Sequence, residues 1–127
     1  MKITAAVARY LLGAIFLFFG SNLLFNFLHQ PLPSGVAGQY FGALATSHMV
    51  YFIGLLQVAA ALLLLANRYV PLALVVLAAM IFNIDMIHIL LAREGLPIAA
   101  LVSALWLLIF WHVRCAFTGI FQARVGD

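Results

Sequence analysis

Four long apolar segments constrain this chain more than any other feature of its sequence. A transmembrane helix needs about 20 mostly apolar residues, and four segments have about this length: 4–26, 48–66, 71–92 and 97–117. Only 7% of the 127 residues are charged and 68% are hydrophobic, whereas soluble domains carry about 25% charged residues. The sequence therefore predicts an all-α integral membrane protein with one domain, over residues 1–127.

Proline and glycine separate the last three segments. Pro71 and Pro97 each follow a short polar turn and stand where a helix can begin. Gly95, in the second of these turns, suits the C-cap of the third span. Because short connections favour antiparallel neighbours, we predict a four-helix up-down bundle.

The connection after the first span is longer and contains two prolines, Pro31 and Pro33, which forbid a continuous helix. After it, residues 36–46 carry Val36, Tyr40 and Leu44 at helical spacing. This pattern predicts a short amphipathic helix at the membrane interface, in the outer loop.

The distribution of basic residues predicts the orientation of the bundle. Five of the six fall on one side of a four-span chain, which are Lys2, Arg9, Arg68, Arg114 and Arg124. Lys and Arg are in excess on the cytoplasmic side, so we expect both termini inside and the protein in the bacterial cytoplasmic (inner) membrane. The first segment is long, Phe-rich and lacks a clear cleavage site, so we expect a retained span rather than a signal peptide. The basic residues stand singly, which argues against a nucleic-acid partner.

Polar residues within the spans are the candidate functional groups, and all fall in the middle-to-outer layer of the predicted bundle. They are Asn22, Gln57, Asn83, Asp85, His88 and Ser103. Ionisable groups at membrane depth mark a functional site by default, and Asp85 and His88 share one helix face because they are three residues apart. Contact between these two would favour the ionised pair, whereas burial would favour the neutral acid. The neutral residues are interpreted as hydrogen-bonding contacts between helices, or as ligand contacts.

Several kinds of site find no support in the sequence. Cys115 is the single cysteine, which excludes an intramolecular disulfide and a CxxC redox pair. The sequence has no HExxH motif and no Cys/His metal set, so no metal site is predicted. A bis-histidine haem would have to use His48 and His88, and we disfavour it.

The chain resembles the DoxX-like family of small membrane proteins over about residues 8–121. The resemblance is carried by apolar patterns with polar landmarks, which are residues 8–16, Phe19–Asn22, residues 54–64, residues 67–72, Asn83–Ile84, residues 88–91 and Gly95–Pro97. It implies a four-helix membrane bundle associated with redox membrane complexes and quinone chemistry. The chain departs from the expected pattern at Gln57, where we expect an acid, and at Asp85, where we expect an apolar or aromatic residue.

The resemblance and the polar layer together suggest a small subunit or accessory of a quinone-linked redox system. Quinone is the expected cofactor, and the expected partners are the lipid bilayer, a redox subunit and a second copy of the chain. The alternative is a non-enzymatic lipid or small-molecule binding protein, or an assembly factor for a membrane complex. A transporter is disfavoured, because four short spans with no broken helix enclose no path on their own.

Overall fold

A computed structural model describes residues 2–29 and 31–126 of the chain. Within these ranges the chain is almost entirely helical. The α-helices are α1 (Lys2–Phe25), α2 (Gly35–Thr46), α3 (Met49–Ala66), α4 (Val70–Leu90) and α5 (Leu96–Val113). Short 3-10 segments precede and follow α5, at Arg93–Gly95 and Arg114–Phe121.

Four of the helices are long and apolar enough to cross a membrane, namely α1, α3, α4 and α5 with its flanking turns. This confirms the all-α membrane bundle. The first three predicted spans agree with the helices to within two residues at each end. The fourth differs, because α5 ends at Val113 and the chain continues as a 3-10 helix to Phe121. There Phe117 packs back on Phe110, with ring centroids 5.0 Å apart.

The four long helices form a closed ring in which each packs on two others: α1 contacts α3 and α5, and α4 contacts α3 and α5. The apolar side chains that point into the ring form a single core. Its largest fully buried members come from all four helices, and they are Leu12, Leu64, Leu74, Leu77 and Ile109. The outer surface of the described helices is also mostly apolar, as expected for helices surrounded by lipid.

Helices α1 and α3 make the most extensive contact, and glycine allows their backbones to approach closely. A Cβ atom placed on Gly54 would lie 3.0 Å from the carbonyl oxygen of Gly20 and 3.0 Å from Cβ of Leu23. Small residues commonly permit such close crossings between membrane helices. Gly54, Ala60 and Ala61 are all buried, so these small residues serve packing within the bundle.

The predicted helix in the first loop is confirmed as α2, which lies against α3. Its buried residue is Ala37, whereas Val36 is 62% exposed. A Cβ on Gly38 would overlap the carbonyl oxygen of Pro33. The lack of a side chain at Gly38 therefore lets the proline-containing loop fold directly onto the start of α2.

The two short turns use different devices. Between α3 and α4, Asn67 and Tyr69 take the left-handed conformation, with φ of 56° and 53°, and Pro71 lies in the first turn of α4 as expected. Gly95 does not form the expected C-cap of the third span. Its φ is −90° and it directly precedes α5, so the glycine serves a different purpose, described with the site below.

At one end of the bundle, arginine side chains donate hydrogen bonds to carbonyl groups in the last turns of two helices. The guanidinium of Arg9, on α1, donates a hydrogen bond to the carbonyl oxygen of Leu64 in the last turn of α3. Arg114 donates from Nη1 to the carbonyl oxygen of Trp111 at 2.6 Å and lies over its indole, 4.2 Å from the ring centroid. Cations at helix C-termini offset the partial negative charge of the exposed carbonyl groups.

Candidate functional site

Asp85 and Ser103 form the one polar side-chain pair that bridges two spans within the described residues. The Ser103 hydroxyl lies 2.9 Å from Oδ2 and 3.1 Å from Oδ1 of Asp85, and donates its hydrogen to the carboxylate. Asp85 is five residues from the end of α4 and Ser103 is seven from the start of α5, which places them about 8 Å and about 10 Å below the same end of the bundle. The antiparallel packing of α4 and α5 brings these two depths together.

The pair lies in a groove between α4 and α5 that opens on the outside of the bundle. The groove has a volume of about 270 Å³ and is lined by Ala78, Ile81, Phe82, Asp85, Ser103, Trp106 and Leu107. Its polar side chains other than the indole are Asp85 and Ser103, both half-buried. An amphipathic ligand could therefore place an apolar tail along the groove and a polar group against the carboxylate.

Trp106 fixes the wall of this groove. Its indole N–H donates to the carbonyl oxygen of Leu74 on α4 at 2.9 Å, and its ring is stacked on Phe110 with centroids 5.2 Å apart and planes at 7°. Burying the indole N–H against a carbonyl satisfies its one donor. The ring is thereby held on two sides and leaves an aromatic surface beside the Asp85–Ser103 pair.

His88 bonds within its own helix end instead of to Asp85. Its Nδ1 lies 3.1 Å from the carbonyl oxygen of Ala92, and since a carbonyl oxygen only accepts, Nδ1 carries the hydrogen. In the neutral ring this leaves Nε2 with the lone pair. A Cβ on Gly95 would overlap the His88 ring. The imidazole therefore fits in this turn because residue 95 has no side chain.

Asn22 and Gln57 lie away from the groove. The Asn22 side-chain oxygen accepts a hydrogen bond from the backbone N–H of Leu28 at 3.0 Å. This bond holds the segment that follows α1 against the end of the helix. Gln57, on α3, is only 7% exposed and faces α1. A Cβ placed on Gly20 of α1 would lie 3.0 Å from the Cβ of Gln57. The predicted polar layer is therefore divided into separate contacts rather than gathered into one pocket.

Asn83 differs most from its expected place. The sequence predicts a hydrogen bond between helices or a contact with a ligand, and the structure leaves this side chain exposed on the outer surface of α4. It is two residues from Asp85 along α4, so the two point in nearly opposite directions. Of the six candidate residues, the fold brings together only Asp85 and Ser103.

Two groove residues, Phe82 and Trp106, are absent from the set that the sequence singles out. Trp106 is three residues after Ser103 and Phe82 three before Asp85, so each shares a helix face with a member of the pair. That spacing is a usable signal once the two polar residues are known to face each other. Within the described ranges, no three His, Cys, Asp or Glu side chains come close enough to hold a metal ion.

Comparison with known proteins identifies no relative of this chain. No family model matches the chain, and neither a curated protein nor a solved structure does.

Proposed function

We propose that this protein binds quinol in the groove between α4 and α5, as a small subunit or accessory of a quinone-linked redox system. The observation that carries the proposal is the Asp85–Ser103 pair at membrane depth in a groove open to lipid. A lipid-soluble ligand can enter such a groove sideways from the bilayer, without crossing the polar surface.

The hydrogen-bonding capacity of the pair favours the reduced form of the ligand. An ionised carboxylate only accepts hydrogen bonds, and the Ser103 hydroxyl already donates its hydrogen to Asp85. The pair thus offers acceptors, which suit the two hydroxyl groups of a quinol. A quinone has only acceptor oxygens and finds no donor here unless Asp85 is protonated. Phe82 and Trp106 provide aromatic surface for the head-group ring.

His88 extends the site towards the surface. It is three residues beyond Asp85 on α4, a rise of about 5 Å, and its Nε2 can accept a proton when Nδ1 is bonded to Ala92. We assign it the passage of a proton from the carboxylate to water, and we assign electron transfer to a separate redox subunit.

The finer parts of the proposal rest on the sequence. The excess of basic residues at one end of the bundle supports cytoplasmic termini in a bacterial inner membrane, which places Asp85 in the outer half of the bilayer. The resemblance to DoxX-like proteins supports a ligand of the quinone/quinol couple over other amphipathic ligands. From the orientation we propose that the polar groove lies in the outer leaflet.

Quinol titration of the purified protein in lipid nanodiscs tests the proposal. Decylubiquinol and decylubiquinone are added separately, and binding is followed by quenching of tryptophan fluorescence, because Trp106 lines the groove. We expect tighter binding of the quinol. Replacing Asp85 by Asn should weaken quinol binding by about tenfold or more, because a hydrogen bond to a charged group contributes about 1.5–3 kcal/mol.

Ser21→Ala is the matched control, since Ser21 is a half-buried hydroxyl on α1 that does not line the groove. It should leave both affinities unchanged, whereas Ser103→Ala should weaken quinol binding. Equal affinity for quinol in the parent protein and in Asp85→Asn would show that quinol does not bind at Asp85 in this groove.

A second candidate function is lipid binding without redox chemistry, as in an assembly factor for a membrane complex. It is favoured by a second groove of about 270 Å³ between α1 and α5, lined almost wholly by apolar side chains such as Val7, Leu11 and Leu108. An acyl chain suits this surface. Native mass spectrometry of the protein from membranes distinguishes the two functions, because retained phospholipid without quinone supports the second.

A further inference from the structure

Asn83 presents an amide on the outside of a membrane-spanning helix. The residue is exposed and lies seven positions before the end of α4, about 10 Å along the helix axis. Helix α4 has 21 residues and thus about the length of the 30 Å hydrocarbon core. The amide therefore lies at hydrocarbon depth, where no water is present to satisfy its two donors and its acceptor.

The residues around Asn83 form a continuous stripe along α4. Leu72, Val75, Ala79, Met86 and Leu90 recur three or four residues apart, on the face that carries Asn83. Leu72, Val75 and Leu90 are 55%, 47% and 73% exposed. This surface, which we call the Asn83 stripe, is not used in packing within the bundle, since the buried residues of α4 lie on the opposite side. Ala79, one turn before Asn83, is small enough to let another helix approach closely.

We propose that the Asn83 stripe is the interface of a parallel homodimer, in which Asn83 of each copy bonds to Asn83 of the other. The excess of basic residues at one end of the bundle predicts a single orientation, in which every copy crosses the bilayer in the same direction. A two-fold axis between two copies then runs along the membrane normal. Each residue of a stripe near that axis then meets the same residue of the second copy at equal depth. An asparagine amide both donates and accepts, so it is complementary to itself.

A second copy fits this surface better than an unrelated helix does. An unrelated partner would need its own polar residue at the depth of Asn83, whereas a second copy carries one there by symmetry. Polar side chains of this kind hold membrane helices together through hydrogen bonds between helices. Phe82 flanks the stripe and also lines the α4–α5 groove, so the second copy would lie beside the groove without filling it.

Cysteine cross-linking in native membranes locates the interface. The background variant is Cys115→Ser, because Cys115 is free and exposed. Asn83→Cys should give a disulfide-linked dimer on mild oxidation. Leu55→Cys is the control, since Leu55 is 57% exposed on α3 and lies about 9 Å from the same end of the bundle. It should give little dimer. Equal cross-linking at both positions, or an adduct of Asn83→Cys with another protein alone, would overturn the proposal.

Dimerisation of labelled protein in lipid bilayers tests the role of the amide. Asn83→Leu should raise the dimer dissociation constant by about 3-fold to 30-fold, from the contribution of about 0.6–2 kcal/mol of an interhelical polar contact. Asn83→Gln, which keeps the amide, should stay closer to the parent protein. A monomeric parent protein at every protein-to-lipid ratio, or a dimer unaffected by Asn83→Leu, would contradict the inference. Quinol binding to Asp85 is measured separately and does not decide this result.

Discussion

The close crossing of α1 and α3 gives a prediction whose magnitude follows from the geometry. In Gly54→Ala the new Cβ lies 3.0 Å from the backbone oxygen of Gly20 and 3.0 Å from Cβ of Leu23. Real Cβ atoms rarely approach other atoms this closely, and neither neighbour can rotate away, since one is backbone and the other is attached directly to it. The two helices must therefore separate.

Overpacking of this kind costs about 1–3 kcal/mol. Alanine also favours a helix over glycine by about 1 kcal/mol in water. That gain largely cancels here, because a span separated from its bundle within lipid or detergent remains helical. We therefore expect the free energy of unfolding to fall by about 2 kcal/mol in Gly54→Ala.

Unfolding in mixed micelles with increasing sodium dodecyl sulfate measures this change. Gly13→Ala should cost less, because its new Cβ meets the side chain of Leu65 at 2.9 Å, which can shift, and the nearest backbone atom, the carbonyl oxygen of Ala61, is at 3.3 Å rather than 3.0 Å. Gly42→Ala is the control, since its nearest neighbour, Cδ1 of Leu32, is at 3.7 Å, an ordinary contact. A Gly54→Ala variant as stable as the Gly42→Ala control would refute a steric limit at this crossing.

Two further variants test other contacts in the structure. Trp106→Phe keeps an aromatic ring but removes the hydrogen bond to Leu74. It should lower the free energy of unfolding by about 1 kcal/mol in the same assay. An unchanged free energy of unfolding would show that this hydrogen bond does not stabilise the bundle. Gly95→Ala should displace the His88 ring from the Ala92 carbonyl group. In ¹⁵N NMR of the imidazole, this displacement would appear as loss of the Nδ1–H···O hydrogen-bond signal. An unaltered spectrum would show that the turn accommodates a methyl group at residue 95.

The helices could be predicted closely from the sequence because lipid imposes one strong requirement. A span must be long and apolar, and Pro71 and Pro97 mark the helix starts directly. The end of α5 could not be placed in the same way. The apolar run continues beyond Val113, and neither the change to a 3-10 helix nor the contact of Phe117 with Phe110 has a marker in the sequence.

The site was less predictable, since it depends on rotation of the helices about their axes. Asp85 and Ser103 lie near the same end of the bundle, but only the packing of α4 on α5 pairs them. His88 is on the same face as Asp85, yet the nearby Ala92 carbonyl group provides its partner. Hydropathy places a residue along the membrane normal and does not tell which neighbour it faces. For this reason the exposure of Asn83 was also unforeseen.

The most direct test of the central claim is to map where a quinone analogue lies in the protein. An azido-quinone is reduced, bound to the protein in membranes and photolysed, and the labelled peptides are identified by mass spectrometry. We predict labels on groove residues of α4 and α5, chiefly Phe82 and Trp106, and we expect these labels to be lost in Asp85→Asn. Labels confined to the α1–α5 groove around Val7 and Leu108, or unchanged by Asp85→Asn, would contradict this prediction.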